Sequence, residues 1–412
     1  MTKSPLVNSV RTPSALLLIA LEFTSLVRFL AEGGATSRTI QRSRFPVVFA
    51  AYGICALIIA LDLKSAKRFL EKPVVRWAFA ALILFTWGML VRVFNAPAGI
   101  DDYDLFRLFG LRVNAIGFLR CCTMIFDDPG VLQITKRAVV VATLVGVVLN
   151  IYDFMLPGTF TSYTGRAAGL YGNPNVSGIS LVLGCAIGLS AMRRRRWQEA
   201  FVLVSFIGVL LTFSRESILA FGCVVLGASL AGQLSLRRMA VAVGVGAALF
   251  VTFNIGHSLL GEKIVSSELW PRLTSQFLSD SSATGRIQIA EKTLDAFEAA
   301  PLLGQGFETT RYWTEFQGSH NFFLSLLADH GIIGILLIPA LLLSIGRRSW
   351  DFYAFAAVFL VWCLFSHNVF DEASALISLA IEAVESHTSQ VAYDPKAAAS
   401  RPKAASLFYG RT

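Results

Sequence analysis

The chain has 412 residues; 55% are apolar and only 15% are charged. A soluble chain of this size carries about 25% charged residues, so the composition excludes a soluble multidomain protein. It equally excludes a disordered chain and a disulfide scaffold. The reading is an all-α polytopic membrane protein. The net charge of +9 is dispersed along the ends of apolar runs and follows membrane topology, so no nucleic acid is expected as a partner.

At roughly 20 residues per span, about 12 transmembrane helices account for the apolar content. In chain order the expected spans are 13–30, 45–63, 74–94, 105–126, 138–156, 176–192, 199–213, 217–232, 239–256, 331–346, 352–366 and 370–384. The first follows Lys3 and Arg11 without a small-residue cleavage site, so a retained helix is expected. The fourth is interrupted by Arg107, Arg112 and Arg120. Lys64, Lys67, Arg68, Lys72, Arg76, Arg193 to Arg196, Arg237, Arg238, Arg347 and Arg348 all fall on alternate connections. The positive-inside rule puts those connections and both termini in the cytoplasm. The expected organisation is helices one to nine over 1–256 and a large outer loop over 257–320. A re-entry segment with the last three helices follows over 321–384, and then a polar cytoplasmic tail over 385–412. No repeat of fixed period is present, which argues against an inverted-repeat transporter. Cys55, Cys121, Cys122, Cys185, Cys223 and Cys363 lie in or beside apolar runs with no CxxC and no paired His. They read as small buried apolar residues, not metal ligands or disulfides.

The unusual residues gather on the outer side. Gly165-Arg166 to Gly172-Asn173-Pro174-Asn175 is a turn that cannot continue a helix. Thr212-Phe213-Ser214-Arg215-Glu216-Ser217 separates two apolar runs, so Arg215 stands at the membrane surface. There it either pairs with Glu216 or faces an anionic ligand. Ser281 to Arg286 reads as a capped helix start, with Ile287, Ala290, Leu294 and Phe297 at helical spacing to about Ala300. An arginine in the first turn suits an anion there, or is merely solvated. Pro301 to Gly306 ends the helix. His320 stands where the chain re-enters the bilayer, able to accept a proton near neutral pH or to act as a capping residue. A second Ser-His-Asn, 366–368, ends the eleventh span on the same side.

These pieces resemble the O-antigen ligase and O-antigen polymerase superfamily of bacterial inner-membrane glycan transferases. Four segments match in order: 166–175, 211–217, 284–306 and 319–334. The resemblance implies a GT-C-like glycosyltransferase with one large periplasmic loop that contains helices and works without cofactor or metal. A polysaccharide on undecaprenyl diphosphate would move to a hydroxyl of lipid A-core on the periplasmic face. Arg215 and Arg286 would bind the diphosphate leaving group, and His320 would position or deprotonate the acceptor. Arg166, Asn173, Asn175, Arg311 and His367 would line the substrate cavity. The family's polymerases often carry an Arg-x10-Gly pattern. Here Arg166, Arg215, Arg272, Arg286 and Arg311 are each followed eleven positions later by a residue other than Gly. Ligase is therefore preferred over polymerase, and a lipid-linked glycan flippase is the third alternative.

Overall fold

The computed structural model describes residues 5–32, 45–95, 102–161, 165–241, 244, 281–312, 319–346 and 349–393. Every regular element among them is helical. Helices α1 (Pro5–Leu18) and α2 (Leu26–Glu32) flank a π-helical turn, Ile19–Phe23. Then come α3 (Phe45–Leu61), α4 (Leu63–Leu70), α5 (Pro73–Phe94), α6 (Asp102–Ile125) and α7 (Pro129–Met155). The second half holds α8 (Pro174–Ala191), α9 (Arg195–Leu210), α10 (Arg215–Leu230), α11 (Ser281–Ala299), α12 (Phe322–Ile335), α13 (Leu337–Ile345), α14 (Trp350–Phe365) and α15 (Ala373–Tyr393).

Helix starts follow local chemistry. The side chains of Asp128, Asn173, Ser214, Asn321 and Ser349 each accept a backbone N–H from the first turn they precede. Pro73, Pro129 and Pro174 occupy first-turn positions, where no N–H is needed. The cap at Asp128 starts α7 nine residues before the expected span at 138.

Among the described residues five helical segments are long and apolar enough to cross a membrane, and six if the bent pair α12–α13 counts as one. The five are Leu6–Phe23, Pro73–Phe94, Tyr103–Ile125, Pro129–Met155 and Pro174–Ala191; Pro46–Leu61 and Trp350–Phe365 are shorter apolar helices. The lipid-facing sides are written in exposed side chains: Ile83, Val93 and Phe94 on α5, and Val141, Val148 and Met155 on α7 are each more than 45% exposed. The same helices bury their other faces, which is the pattern of a bundle solvated by lipid.

Several expectations shift. The first span begins at Pro5 and is interrupted by the π turn and by Ser25, which has φ +58°. The segment 321–330, expected as a re-entry stretch, is the first part of α12. Helix continues through Tyr393, nine residues into the expected polar tail. Residues 394–412, most of the expected ninth span and much of the large loop (257–280 and 313–318) lie outside the described residues.

Small residues let the central helices approach. Gly184 of α8 faces Thr143 of α7, and a Cβ there would overlap the Thr143 hydroxyl. One turn on, a Cβ at Gly188 would come within 2.6 Å of the Phe201 ring of α9 and 2.9 Å of Val140. This Gly-x-x-x-Gly edge allows backbone contact between apolar helices, where dispersion and not hydrophobic expulsion drives association. Helix α15 is the innermost element, with residues 373–384 all buried.

A second device positions one end of the bundle. Gly331 has φ +64° and ψ −157°, which breaks α12 from within. Ile332 donates instead to the Pro301 carbonyl (2.8 Å). The carbonyls of Ala328 and Asp329 are thereby released, and they accept from Gln305 (2.8 Å) and Gly306 (3.0 Å). The Asp329 carboxylate takes the N–H groups of Glu308 (3.0 Å) and Thr309 (2.9 Å). The connection 301–309 is thus laced to a broken helix, and its glycines have no alternative. Gly304 has φ +73° and touches the Asp329 backbone, while a Cβ at Gly306 would lie 2.7 Å from the Arg92 backbone.

The lacing presents Glu308 to Arg112 of α6. Arg112 donates to Glu308 Oε1 from Nε (3.1 Å) and Nη2 (2.8 Å), and to Asp371 from Nη1 (2.8 Å). Removing one partner of a buried ion pair leaves uncompensated charge and costs about 3–5 kcal/mol. Arg112→Leu is therefore expected to lower the stability of the purified protein by about that amount. Thermal unfolding in detergent measures it; an unchanged melting temperature would mean that the network is dispensable.

Candidate functional site

The end of the bundle that holds Arg112 and Glu308 also holds every candidate residue identified above. The loop carrying Arg166 is pinned from below. Asp153, at the end of α7, accepts from Phe160 (3.1 Å), Ala168 (2.8 Å) and Gly169 (3.1 Å). Ala167 donates to the Leu211 carbonyl (2.9 Å), joining this loop to the α9–α10 turn. Arg166 then donates from Nε to the Thr212 carbonyl (2.9 Å) and from Nη2 to Asn175 Oδ1 (2.6 Å). Asn173 caps α8 by accepting from the Asn175 N–H (2.9 Å). Both asparagines thus have structural work, Asn173 on the helix start and Asn175 on the guanidinium.

Arg215 is the first residue of α10, directly after the cap residue Ser214, and is half-buried. Its neighbour Glu216 is 7% exposed and lies in the field of Arg286 first and Arg166 second. Arg286 is exposed and projects from α11. That helix starts at Ser281, so Arg286 stands in its second turn and not in the first, as the sequence suggested. The reason for placing an anion at the helix terminus is lost for this arginine. What remains is its charge, which acts on both Glu216 and His320.

His320 has φ +48°, a left-handed conformation that a non-glycine residue adopts at a cost of about 1–2 kcal/mol. The residues on either side hold it there. Ser319 donates to the Asn321 carbonyl (2.9 Å) and is in hydroxyl contact with Ser325, while Asn321 Oδ1 caps α12 through the Leu324 N–H (3.1 Å). Burial and the charge of Arg286 both push the His320 imidazole below its usual range.

The His320 ring meets His367 edge-on, with centroids 5.5 Å apart. His367 lies in the short connection between α14 and α15; burial, then Arg311, lower its imidazole to about 4. Arg311 approaches Glu308 (3.5 Å) and Asp371 (3.7 Å), the same two carboxylates that Arg112 grips. Burial works against the Glu308 charge, but Arg112 and Arg311 outweigh it and hold the carboxyl at about 2. Beneath His367 a small cavity of about 20 Å3, lined by Arg112, Glu308, Thr310, Asp329 and His330, has room for one water.

The structure therefore links several of the candidates: the charges of Arg166 and Arg286 act on Glu216, that of Arg286 on His320, the His320 ring meets His367, and the charge of Arg311 acts on His367. Glu216, Glu308, Asp371 and Arg112 are members that sequence reading left out or treated as ordinary charges. The available signal was that Arg112 lies near the middle of the expected fourth span, where a guanidinium demands a counter-charge. Among the described residues no three His, Cys, Asp or Glu side chains are grouped to hold a metal ion.

The family model described as O-Antigen ligase matches residues 200–339, about a third of the chain. No curated protein matches the sequence. The matched segment includes Arg215, Arg286, Arg311 and His320, together with the laced connection and the broken helix α12. Residues 200–339 of the chain are thus similar to the family described as O-Antigen ligase.

Proposed function

We propose that the protein is an O-antigen ligase that moves a polysaccharide from undecaprenyl diphosphate to a hydroxyl of lipid A-core, without a metal. The observation that carries the reading is His320, held in a strained backbone conformation within the family segment, under the charge of Arg286 and against His367. The acceptor hydroxyl gives its proton to the neutral His320 imidazole as its oxygen attacks the anomeric carbon. The bond from that carbon to the diphosphate oxygen breaks, and the lipid diphosphate leaves with the electron pair. Arg215 and Arg286 meet the charge that develops on the departing oxygen, the electrostatic role that a divalent cation plays in other transferases. Arg166 and Arg311, with Asn173, Asn175 and His367, border the space in which the two substrates meet.

The same reading sets the orientation. Arg193 to Arg196, Arg237 and Arg238 lie at the opposite end of the bundle from His320, so the positive-inside rule directs the site to the periplasm of the bacterial inner membrane. Ligase is favoured over polymerase because no candidate arginine carries a glycine eleven positions later. A flippase would need comparable polar groups at both ends of the bundle, whereas the candidate groups gather at one.

Purified protein given lipid-linked O-antigen and lipid A-core in the presence of EDTA should form the glycosylated core. His320→Ala and Arg215→Ala should each reduce transfer by at least about 100-fold while leaving insertion intact. Near-wild-type transfer by either variant would remove that residue from the mechanism. Longer lipid-linked chains without core product would make the protein a polymerase.

The pH profile is an independent check. His320 acts as its neutral form and titrates below its usual range, so kcat/KM should rise with pH along an acid limb that lies below the usual imidazole range and then level off. His367, lowered to about 4 by burial and then by Arg311, is neutral near neutral pH. Replacing Arg286 with Gln removes a cation facing His320 and should move the acid limb of the residual activity upward. A limb that stays in place would separate Arg286 from His320.

A further inference from the structure

At the other end of the bundle, α8 turns into α9 beside α7, and a groove of about 510 Å3 opens on the outer surface. Its walls are apolar: Leu144 of α7 and Trp197, Phe201 and Val204 of α9. Its mouth is lined by Arg193 and Arg194. We propose that this groove binds one anionic phospholipid of the adjoining leaflet, with its phosphate at the two guanidiniums and an acyl chain along the apolar wall.

Charge complementarity selects the headgroup. The carboxylate of the same helix start, Glu199, is engaged by Arg195 (3.3 Å) and again by Arg238 (3.2 Å). Arg196 lies over the Trp197 ring, 5.9 Å from its centroid. The turn's carbonyls are answered by Gln198, which donates to Leu189 (3.2 Å) and Met192 (3.1 Å). Among the described residues Arg193 and Arg194 have no ion-pair partner, and both are exposed. Two arginines at the start of a 16-residue helix add guanidinium donors to the positive end of its dipole, a setting that suits phosphate.

The apolar wall selects a lipid over a soluble anion. Trp197 is 59% exposed, Val204 38% and Leu144 36%, and the α7 face that carries Leu144 continues into the exposed residues Val141 and Val148. An exposed tryptophan next to arginines is the signature of the headgroup level, with hydrocarbon below it. Basic pockets between helices at that level recognise anionic headgroups. The groove volume is in the range that encloses a sizeable apolar ligand. This proposal stands apart from the transferase reading, since none of its residues lies at the His320 end.

Native mass spectrometry of the delipidated full chain in detergent, titrated with phosphatidylglycerol or phosphatidylcholine, tests it. One phosphatidylglycerol should be retained at a concentration at least about fivefold lower than phosphatidylcholine. Arg193→Ala/Arg194→Ala should erase that preference, whereas Arg195→Ala, which removes an arginine already paired, should keep it. Val204→Trp, which fills the groove without changing charge, should weaken retention of both lipids. Equal retention of the two lipids by the wild-type chain would overturn the proposal, as would an intact preference in the double variant. Inorganic phosphate alone raising the melting temperature as much as phosphatidylglycerol would assign the arginines to a free anion, and the lipid site would fail.

Discussion

Arg112 is the constraint on which one end of this molecule depends. It lies in the third turn of a long apolar helix, where a lone guanidinium would be costly, and it draws in two carboxylates that are distant in sequence, Glu308 and Asp371. Glu308 belongs to the connection laced onto α12, and Asp371 to the short turn that leads into α15. A single side chain thereby fixes the loop before His320 and the loop after His367 with respect to each other. His367 lies four residues before Asp371, and its ring meets that of His320 edge-on.

The same tie explains why two sequence features that look unrelated belong together. Pro301-Leu-Leu-Gly304-Gln-Gly306 reads as a helix stop, and Asp329-His330-Gly331 as an interruption in an apolar run. In the structure the second creates acceptors for the first. Breaking α12 at Gly331 frees carbonyls that an intact helix would have consumed, and the loop supplies the N–H groups that satisfy them. Glycine is required on both sides because the backbones approach too closely for a Cβ.

Much of the architecture was legible from periodicity and composition, and the failures have physical causes. The helical class, the amphipathic helix after Ser281 and the gathering of arginines and histidines near one end all follow from apolar spacing and charge placement. Helix α15 was read as an ordinary last span, yet it is the innermost element. Ser374, Ser378 and Glu382 on it are buried against other helices and not lipid, so hydropathy, which measures preference for lipid, misstates its place. Arg286 was placed one turn too early because cap chemistry within the Ser-Ser-Ala-Thr run does not distinguish the first hydroxyl from the last. The carboxylates paired with Arg112 were invisible because Glu308 is 196 residues and Asp371 259 residues away in sequence. Nothing local in either segment announces such a partner.

The charge balance of the site end separates holding from acting. Arg112 and Arg311 share Glu308 and Asp371, so their charge is largely spent inside the protein, and the cost of burying it is met by ion pairs and hydrogen bonds. Arg166 is oriented by the Thr212 carbonyl and the Asn175 amide, and its charge acts on Glu216. Arg286 is exposed on a helix that the family segment contributes, and its field already reaches both Glu216 and His320. Burial first, and then the charge of Arg286, disfavour the protonated form of His320.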